Sequence, residues 1–269
     1  MSAPTNIMVV YNGGTSWTRN TNCILSSANG YDTTGISVGI VPYGGIGGAL
    51  ISNRHVLLAK HTAAGTTPGS TIYFVNNLNT AFPYTITNVQ TVGSSLGVGY
   101  TDISIGYLNS TVDISLKYYK VFPSNFLDYL KKGTSSSTFK YLNPYLAAFY
   151  MDQEKKFLCG DIDGLSLTDT TSPRLRLVFS ENTKRYNNSE LVIGGDSGNI
   201  IFLPVNNEIV LLGSWWTGSP SIKSVGYEIG ISSYIPSNIT EINSAMTSLA
   251  GTSYSLTEID LSNYSNSFA

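Results

Sequence analysis

An all-β chain, built as a sandwich or barrel, is the fold class that the sequence predicts, and three observations predict it. Short apolar segments rich in β-branched residues recur along the chain, turn signals separate them, and helical spacing is confined to two brief stretches. The predicted strands are Ile36 to Val41, Gly48 to Ile51, His55 to Ala59, Thr71 to Val75, Ile103 to Tyr107, Leu175 to Phe179, Asn199 to Leu203, Ile209 to Leu212 and Val225 to Ile231. Turns are marked by Asn12-Gly13-Gly14, Tyr43-Gly44-Gly45, Pro68-Gly69 and Asn206-Asn207, residues that supply positive φ or a preset φ cheaply.

Aromatic and leucine spacing over Pro123 to Lys132 predicts a short surface helix. Pro236 to Leu249 opens with Pro-Ser-Asn and continues with Ile239, Ile242, Met246 and Leu249, which predicts a C-terminal helix. Residues 250–269 are rich in Ser, Asn and Tyr and are expected to form a loosely held tail. No internal repeat is visible, and the crossing between two halves is expected within Thr111 to Asp169.

Composition narrows the function. With 269 residues and 42% apolar content, the chain can bury one large core or two small ones. Charged residues make up 12% against about 25% in ordinary soluble domains, so hydroxyl and amide groups carry the polarity. A net charge of -2 and a pI near 5.6 give no electrostatic reason to expect nucleic acid or an anionic membrane as partner. Met1 to Trp17 shows no basic, apolar export signal, and no apolar run approaches the roughly 18 residues of a membrane-spanning helix. Cys23 and Cys159, the two cysteines, are too few for a disulfide framework or a cysteine-built zinc site. No metal and no cofactor is expected.

Chemistry concentrates at Gly194-Gly195-Asp196-Ser197-Gly198. A serine held between glycines can expose its hydroxyl on a tight turn where backbone N–H groups converge, although the same tetrapeptide also makes ordinary hairpin turns. Such a hydroxyl needs a general base near neutral pKa, and the chain offers two histidines, His55 and His61.

The run from Gly47 through Leu50-Ile51-Ser52, His55-Val56-Leu57-Leu58 and Ala59-Lys60-His61 resembles the strand, turn and strand ending in Ala-Ala-His of the trypsin/chymotrypsin-like serine proteases. On that resemblance His61 is the base, and His55 takes a structural place where the family commonly carries tryptophan. Tyr100-Thr101-Asp102-Ile103-Ser104-Ile105 is similar to the family's Asn-Asp-Ile-Ala-Leu-Leu segment, which implies Asp102 as the carboxylate that fixes the imidazole tautomer. The order His, Asp, Ser is the chymotrypsin order. The separations, 102 − 61 = 41 and 197 − 102 = 95, lie near the about 45 and 93 of chymotrypsin.

The resemblance spans about Cys23 to Leu249 and implies more. The fold becomes two six-stranded antiparallel Greek-key β-barrels packed together, with a short C-terminal helix: an N-terminal extension over 1–20, a first barrel over 21–120, a second barrel with the helix over 121–249, and the tail. The function becomes peptide-bond hydrolysis through an acyl-enzyme, with protein or peptide as substrate and the Gly195 and Ser197 amides as oxyanion hole. Cys23 and Cys159 fall where the family has a disulfide. Family register places Leu191 and Val192 at the base of the substrate pocket with Glu190 beside them, which implies an apolar P1 preference. Its wall takes Ser214 or Trp216, together with Gly218 and Gly226. In the family the aspartate at Asp196 stabilises the turn by pairing with a newly cut N-terminal amine, or otherwise with another cation. Here the Ile-Val-Gly-Gly start is missing, its region reading Trp17-Thr18-Arg19-Asn20-Thr21. Asn199 replaces the usual glycine.

Two other readings stand beside this one. A catalytically silent barrel, structural or binding and part of a virion or surface assembly, would suit the missing export signal and the departures around the serine. An esterase is disfavoured by chain order and by the absence of Gly-x-Ser-x-Gly. Sequons at Asn109, Asn187, Asn238 and Asn263 suit secretion and are also expected in a chain so rich in Asn, Ser and Thr; they leave extracellular and cytoplasmic locations both open. Oligomeric state is not readable.

Overall fold

In the computed structural model of the chain, the described residues are 5–9, 17–44, 46–93, 101–129, 132–135, 139–166, 174–218 and 222–264. The turn signal at 12–14, Gly45, Tyr100 and the last five tail residues, 265–269, lie outside them.

Strands dominate. The first half holds β1 (Gly39–Val41), β2 (Ala49–Leu50), β3 (His55–Leu58), β4 (Thr71–Val75), β5 (Ala81–Thr91) and β6 (Ser104–Leu108). These form one antiparallel sheet in the order β1-β4-β5-β6-β3-β2. Its two edges are tied by the Ile36–Ala49 bridge and by the Ser37–Gly48 and Leu50–Gly35 backbone bonds.

The second half holds β7 (Lys120–Val121), β8 (Lys132–Ser135), β9 (Phe139–Met151), β10 (Phe157–Ser166), β11 (Arg174–Val178), the short helix α1 (Thr183–Asn187), β12 (Ile200–Val205), β13 (Glu208–Gly218) and β14 (Glu228–Tyr234). A ring of six strands runs β9-β12-β13-β14-β11-β10 and closes through the β9–β10 pairing. The two halves repeat one topology, a three-strand meander with the preceding strand returning beside its last member, which is the Greek key. The expectation of two antiparallel barrels holds, with two additions: β8 extends the sheet beyond β9, and β7 pairs in parallel with β13. Chain crossing falls between Leu108, the end of β6, and Lys120, the start of β7, which pairs with the second sheet.

Period-two alternation explains the apolar runs. In β12, Ile201 and Leu203 point into the second barrel, while Ile200 and Phe202 point into a core shared with the first half; in β13, Val210 and Leu212 alternate with Ile209 and Leu211 in the same way. Both faces are buried, so the sequence shows no polar alternation. A third core, with Ile40, Leu50, Val56, Leu58, Ile72 and Phe74, fills the first barrel. The shared core is therefore the seam that sets one barrel against the other.

The helical expectations are met unevenly. The C-terminal helix α2 (Ile239–Ala250) follows a 3-10 turn over Ile235–Asn238 and buries Ile239, Ile242, Ala245 and Met246 in the seam. Around Pro123 the described residues form a 3-10 turn at Phe126–Tyr129 in place of the expected helix, with the Phe126 ring packed on Phe122 at 4.2 Å. The expected loose tail is corrected over residues 251–261. Leu256, Ile259 and Leu261 are buried, and the Val121 N–H to Thr257 O and Ile259 N–H to Val121 O bonds, both 2.9 Å, strap the segment to β7. The implied disulfide is also corrected: Cys23 and Cys159 are both free and buried. Cys23 packs in the seam and Cys159 sits on β10, so each thiol serves as a small apolar filler.

Phe202 is fully buried in the seam and stacks on Phe149 at 5.8 Å. Phe202→Ala is expected to lower unfolding free energy by about 3 to 5 kcal/mol, read as a lower urea midpoint at unchanged slope. Leu78→Ala, at a position 83% exposed, should change it by less than about 0.5 kcal/mol.

Candidate active site

Three segments meet at the mouth of the seam. His61 lies just after β3, where the chain turns through Thr62 N–H and Oγ1 bonds to Ala59 O. Asp102 lies just before β6, and Ser197 just before β12. The expected residues are brought together. Asp102 Oδ2 is 2.7 Å from His61 Nδ1, and Asp102 Oδ1 accepts the His61 backbone N–H at 2.8 Å. His61 Nε2 is 2.7 Å from Ser197 Oγ. The Asp102 side chain is fully shielded while the imidazole is 35% exposed, so the carboxylate is locked and the ring faces solvent. Thr101 Oγ1 donates to Asn238 Oδ1 at 3.1 Å, which ties the Asp102 segment to the start of α2.

The serine sits on consecutive turns. The preceding segment, Leu191 to Ile193, forms no strand and is held by single bonds such as Val192 N–H to Ile229 O. Gly195 has φ +106° and Gly198 φ +76°, conformations that side-chain-bearing residues rarely adopt. At Gly195 an added Cβ would also lie 2.2 Å from Gln153 Oε1. The Asp196 carboxylate accepts the Ile193 N–H at 2.8 Å and the Gln153 N–H at 2.7 Å. Burial pushes its pKa up while those two N–H donors and nearby Lys155 oppose the shift. Ser197 O accepts the Gly47 N–H at 2.9 Å, a direct bond from one barrel to the other. Among the described residues, the Gly195 and Ser197 N–H groups have no acceptor.

The implied pocket residues divide. Ser214 is fully buried and paired on both sides, to Ile200 and to Ser233. Its backbone is unavailable to a ligand. Pairing toward β12 continues one residue further, through Trp215 N–H to Asn199 O and Gly198 N–H to Trp215 O, and stops there. Of the two candidates, Trp216 lies beyond the end of that pairing, with the Arg174 guanidinium over its ring at 3.7 Å. Val192 lies against Gly218 and Gly230: a Cβ on Gly218 would be 2.0 Å from Val192 O. Leu191 turns toward the second-barrel core instead. Exposed Gly226, at φ +75°, has nothing within 4 Å of its Cβ position, so it shapes a surface turn and lines no confined slot. Both Glu190 carboxylate oxygens lie 2.9 Å from Lys156 Nζ, which removes it as an unpaired pocket base.

Two neighbours of the loop escaped sequence reasoning. Lys155 and Gln153 belong to the charged turn between β9 and β10, Asp152 to Lys156. A φ of +61° at Lys155 has no signature in the sequence.

His55 is separate from this site. Its ring is fully buried, Nδ1 lies 2.8 Å from Ser52 Oγ and Nε2 lies 3.1 Å from Met246 O. A neutral ring with its proton on Nε2 satisfies both partners. Tyr254 and Tyr107 flank it at 4.7 and 5.2 Å.

No family model matches the chain, and no curated protein matches its sequence. Among solved structures, a mutant of human heparin binding protein is similar in backbone, with a TM-score of 0.52 over 80% of this chain and 92% of that chain at 12% identity. At that identity the likeness establishes the shared double-barrel architecture alone.

Burial drops the His55 pKa from 6.5 to about 4, against the opposing pull of Met246 O and with some help from Arg54. Between those values the unfolded chain binds a proton that the folded chain does not, so this group's contribution to stability is lost as pH falls from about 6.5 toward 4. Imidazole NMR shifts should place the His55 titration near pH 4, and His55→Gln should flatten the acid slope of stability. A titration near 6.5 would contradict the buried assignment.

Proposed function

On this chymotrypsin-fold scaffold, we propose that the chain is a serine endopeptidase. The observation that carries the reading is the continuous row from Asp102 Oδ2 through His61 to Ser197 Oγ, with both contacts at 2.7 Å. In this reading His61 Nε2 takes the proton from Ser197 Oγ as that oxygen attacks the carbonyl carbon, and Asp102 stabilises the resulting imidazolium. The tetrahedral oxyanion is received by the Gly195 and Ser197 N–H groups; each such donor is worth about 3 to 4 kcal/mol in the transition state. His61 then returns the proton to the leaving amine, and water repeats the sequence on the acyl-enzyme.

The substrate backbone pairs along Trp216 to Gly218, beyond the end of the β12 ladder. The P1 side chain is received beside Val192, at the edge of that strand. Because Val192 O closes on Gly218, the slot takes small apolar side chains better than aromatic ones, and Glu190, paired with Lys156, does not select for Arg or Lys.

Hydrolysis of a broad unfolded protein substrate tests the reading. Ser197→Ala is expected to lower kcat by about 10⁶-fold and Asp102→Asn by about 10⁴-fold, with cleavage mainly after Ala, Val or similar residues. A folded wild type that cleaves nothing would favour the silent binding barrel. Cleavage mainly after Arg or Lys would overturn the pocket assignment.

A further inference from the structure

Lys155 is fully buried, which is rare for an ammonium unless it is paired. Its Nζ lies 2.7 Å from Asn199 Oδ1. The other side of that amide, Asn199 Nδ2, donates to Asp196 O at 3.1 Å, and the Asn199 backbone N–H donates to the same oxygen at 3.0 Å. Gln153, two residues before Lys155, gives its N–H to the Asp196 carboxylate. Thus the turn that bears Lys155 grips the Gly194–Gly198 loop twice.

The turn is itself held from outside. Ile7 N–H donates to Lys155 O at 3.0 Å and Phe157 N–H to Thr5 O at 3.0 Å, so residues 5–7 lie along it as an added strand. The ammonium faces two buried carboxylates, Asp152 and Asp196. Further out, Lys156 is bonded to Glu190 and Asp152. Asn199 also packs where Gly47 leaves room, since a Cβ at Gly47 would be 2.2 Å from Asn199 Oδ1. No smaller residue at position 199 could reach from the lysine to the loop.

We propose that Lys155 is a positioning residue whose buried ammonium, acting through Asn199 and beside the Asp196 carboxylate, holds the loop that presents the Gly195 and Ser197 N–H groups. The inference rests on the endopeptidase reading for its consequence in catalysis, and on geometry alone for its consequence in loop order. The chain then needs no newly cut terminal amine: the cation is built in, and Asn199 is its adaptor.

A pH signature follows. Burial brings the Lys155 pKa from 10.5 down to about 8, against the pull of Asp152 and Asp196. Burial raises Asp152 to about 6, and raises Asp196, so these two are ionised on the alkaline side. Between about 8 and 10.5 the unfolded chain holds a proton on this lysine that the folded chain has lost, so its contribution to stability rises with pH there. The lock weakens over the same range. Activity falls while this group's stability term improves, which separates the effect from alkaline unfolding.

Hydrogen exchange of residues 193–199 tests the loop directly and needs no substrate. In folded Lys155→Met, and in Asn199→Gly, exchange across that loop at pH 6.5 should quicken at least about tenfold. In wild type the protection of the loop, taken against the base-catalysed intrinsic rate, should fall with an inflexion near pH 8. If the chain is an endopeptidase, both variants should lose roughly 10² in kcat, the scale of one oxyanion donor, with KM within about twofold, and Lys155→Met should lose the alkaline inflexion. Unchanged loop exchange in a folded variant, or an alkaline limb that persists in Lys155→Met, overturns the proposal. If Lys155→Met does not fold, the Asn199→Gly exchange and the wild-type pH series decide it. A protein that hydrolyses nothing but shows the exchange pattern keeps the lock and loses the endopeptidase reading.

Discussion

A hydrogen bond across the seam between two barrels, His61 Nε2 to Ser197 Oγ, is the contact that the rest of the architecture must hold in place. A side chain can reach only a few ångströms, so the relative setting of the two barrels decides whether the bond exists. That setting comes from a core to which both halves contribute alternate residues of their strands, with α2 laid against it. The Gly47 to Ser197 bond adds a backbone tie beside the site itself. Packing and chemistry are here one problem, because a shift of a strand by one residue would turn the seam residues outward and separate the row.

Charge is scarce in this chain, and part of it is buried. Asp102 spends both oxygens on His61, one on the ring and one on the backbone, which fixes the imidazole in position as well as its tautomer. Asp196 spends both oxygens on backbone N–H groups of two segments. On β10, Asp161 and Asp163 face Arg185 and Arg176. Asp102, Asp163 and Asp196 thus meet donors that offset their desolvation, as buried charges must, whereas Asp161 Oδ1 has the Arg185 guanidinium at 3.1 Å but no hydrogen bond.

The amino-acid pattern made the core strands legible because burial on both faces leaves strand-length apolar runs, as in Thr71–Val75 and Ile200–Val205. It hid β5, β9 and β10. In β5, polar residues alternate on an exposed face around Pro83. In β10, Asp161, Asp163 and a bulge between Ile162 and Gly164 interrupt the run. His61, Asp102 and Ser197 are legible from local motifs, and the fold brings their side chains together. The disulfide failed because it was inferred from relative position alone, and a thiol can fill space without a partner. Lys155 was hidden for a different reason: its role depends on a left-handed backbone turn and on Asn199, 44 residues away.

The most direct measurement of the central claim is to treat the folded chain with a fluorophosphonate, digest it, and locate the adduct by mass. The account predicts a single adduct on Ser197, formed at a rate that drops sharply in His61→Ala. An unmodified Ser197 in a folded chain, or an adduct whose rate ignores His61, would contradict it.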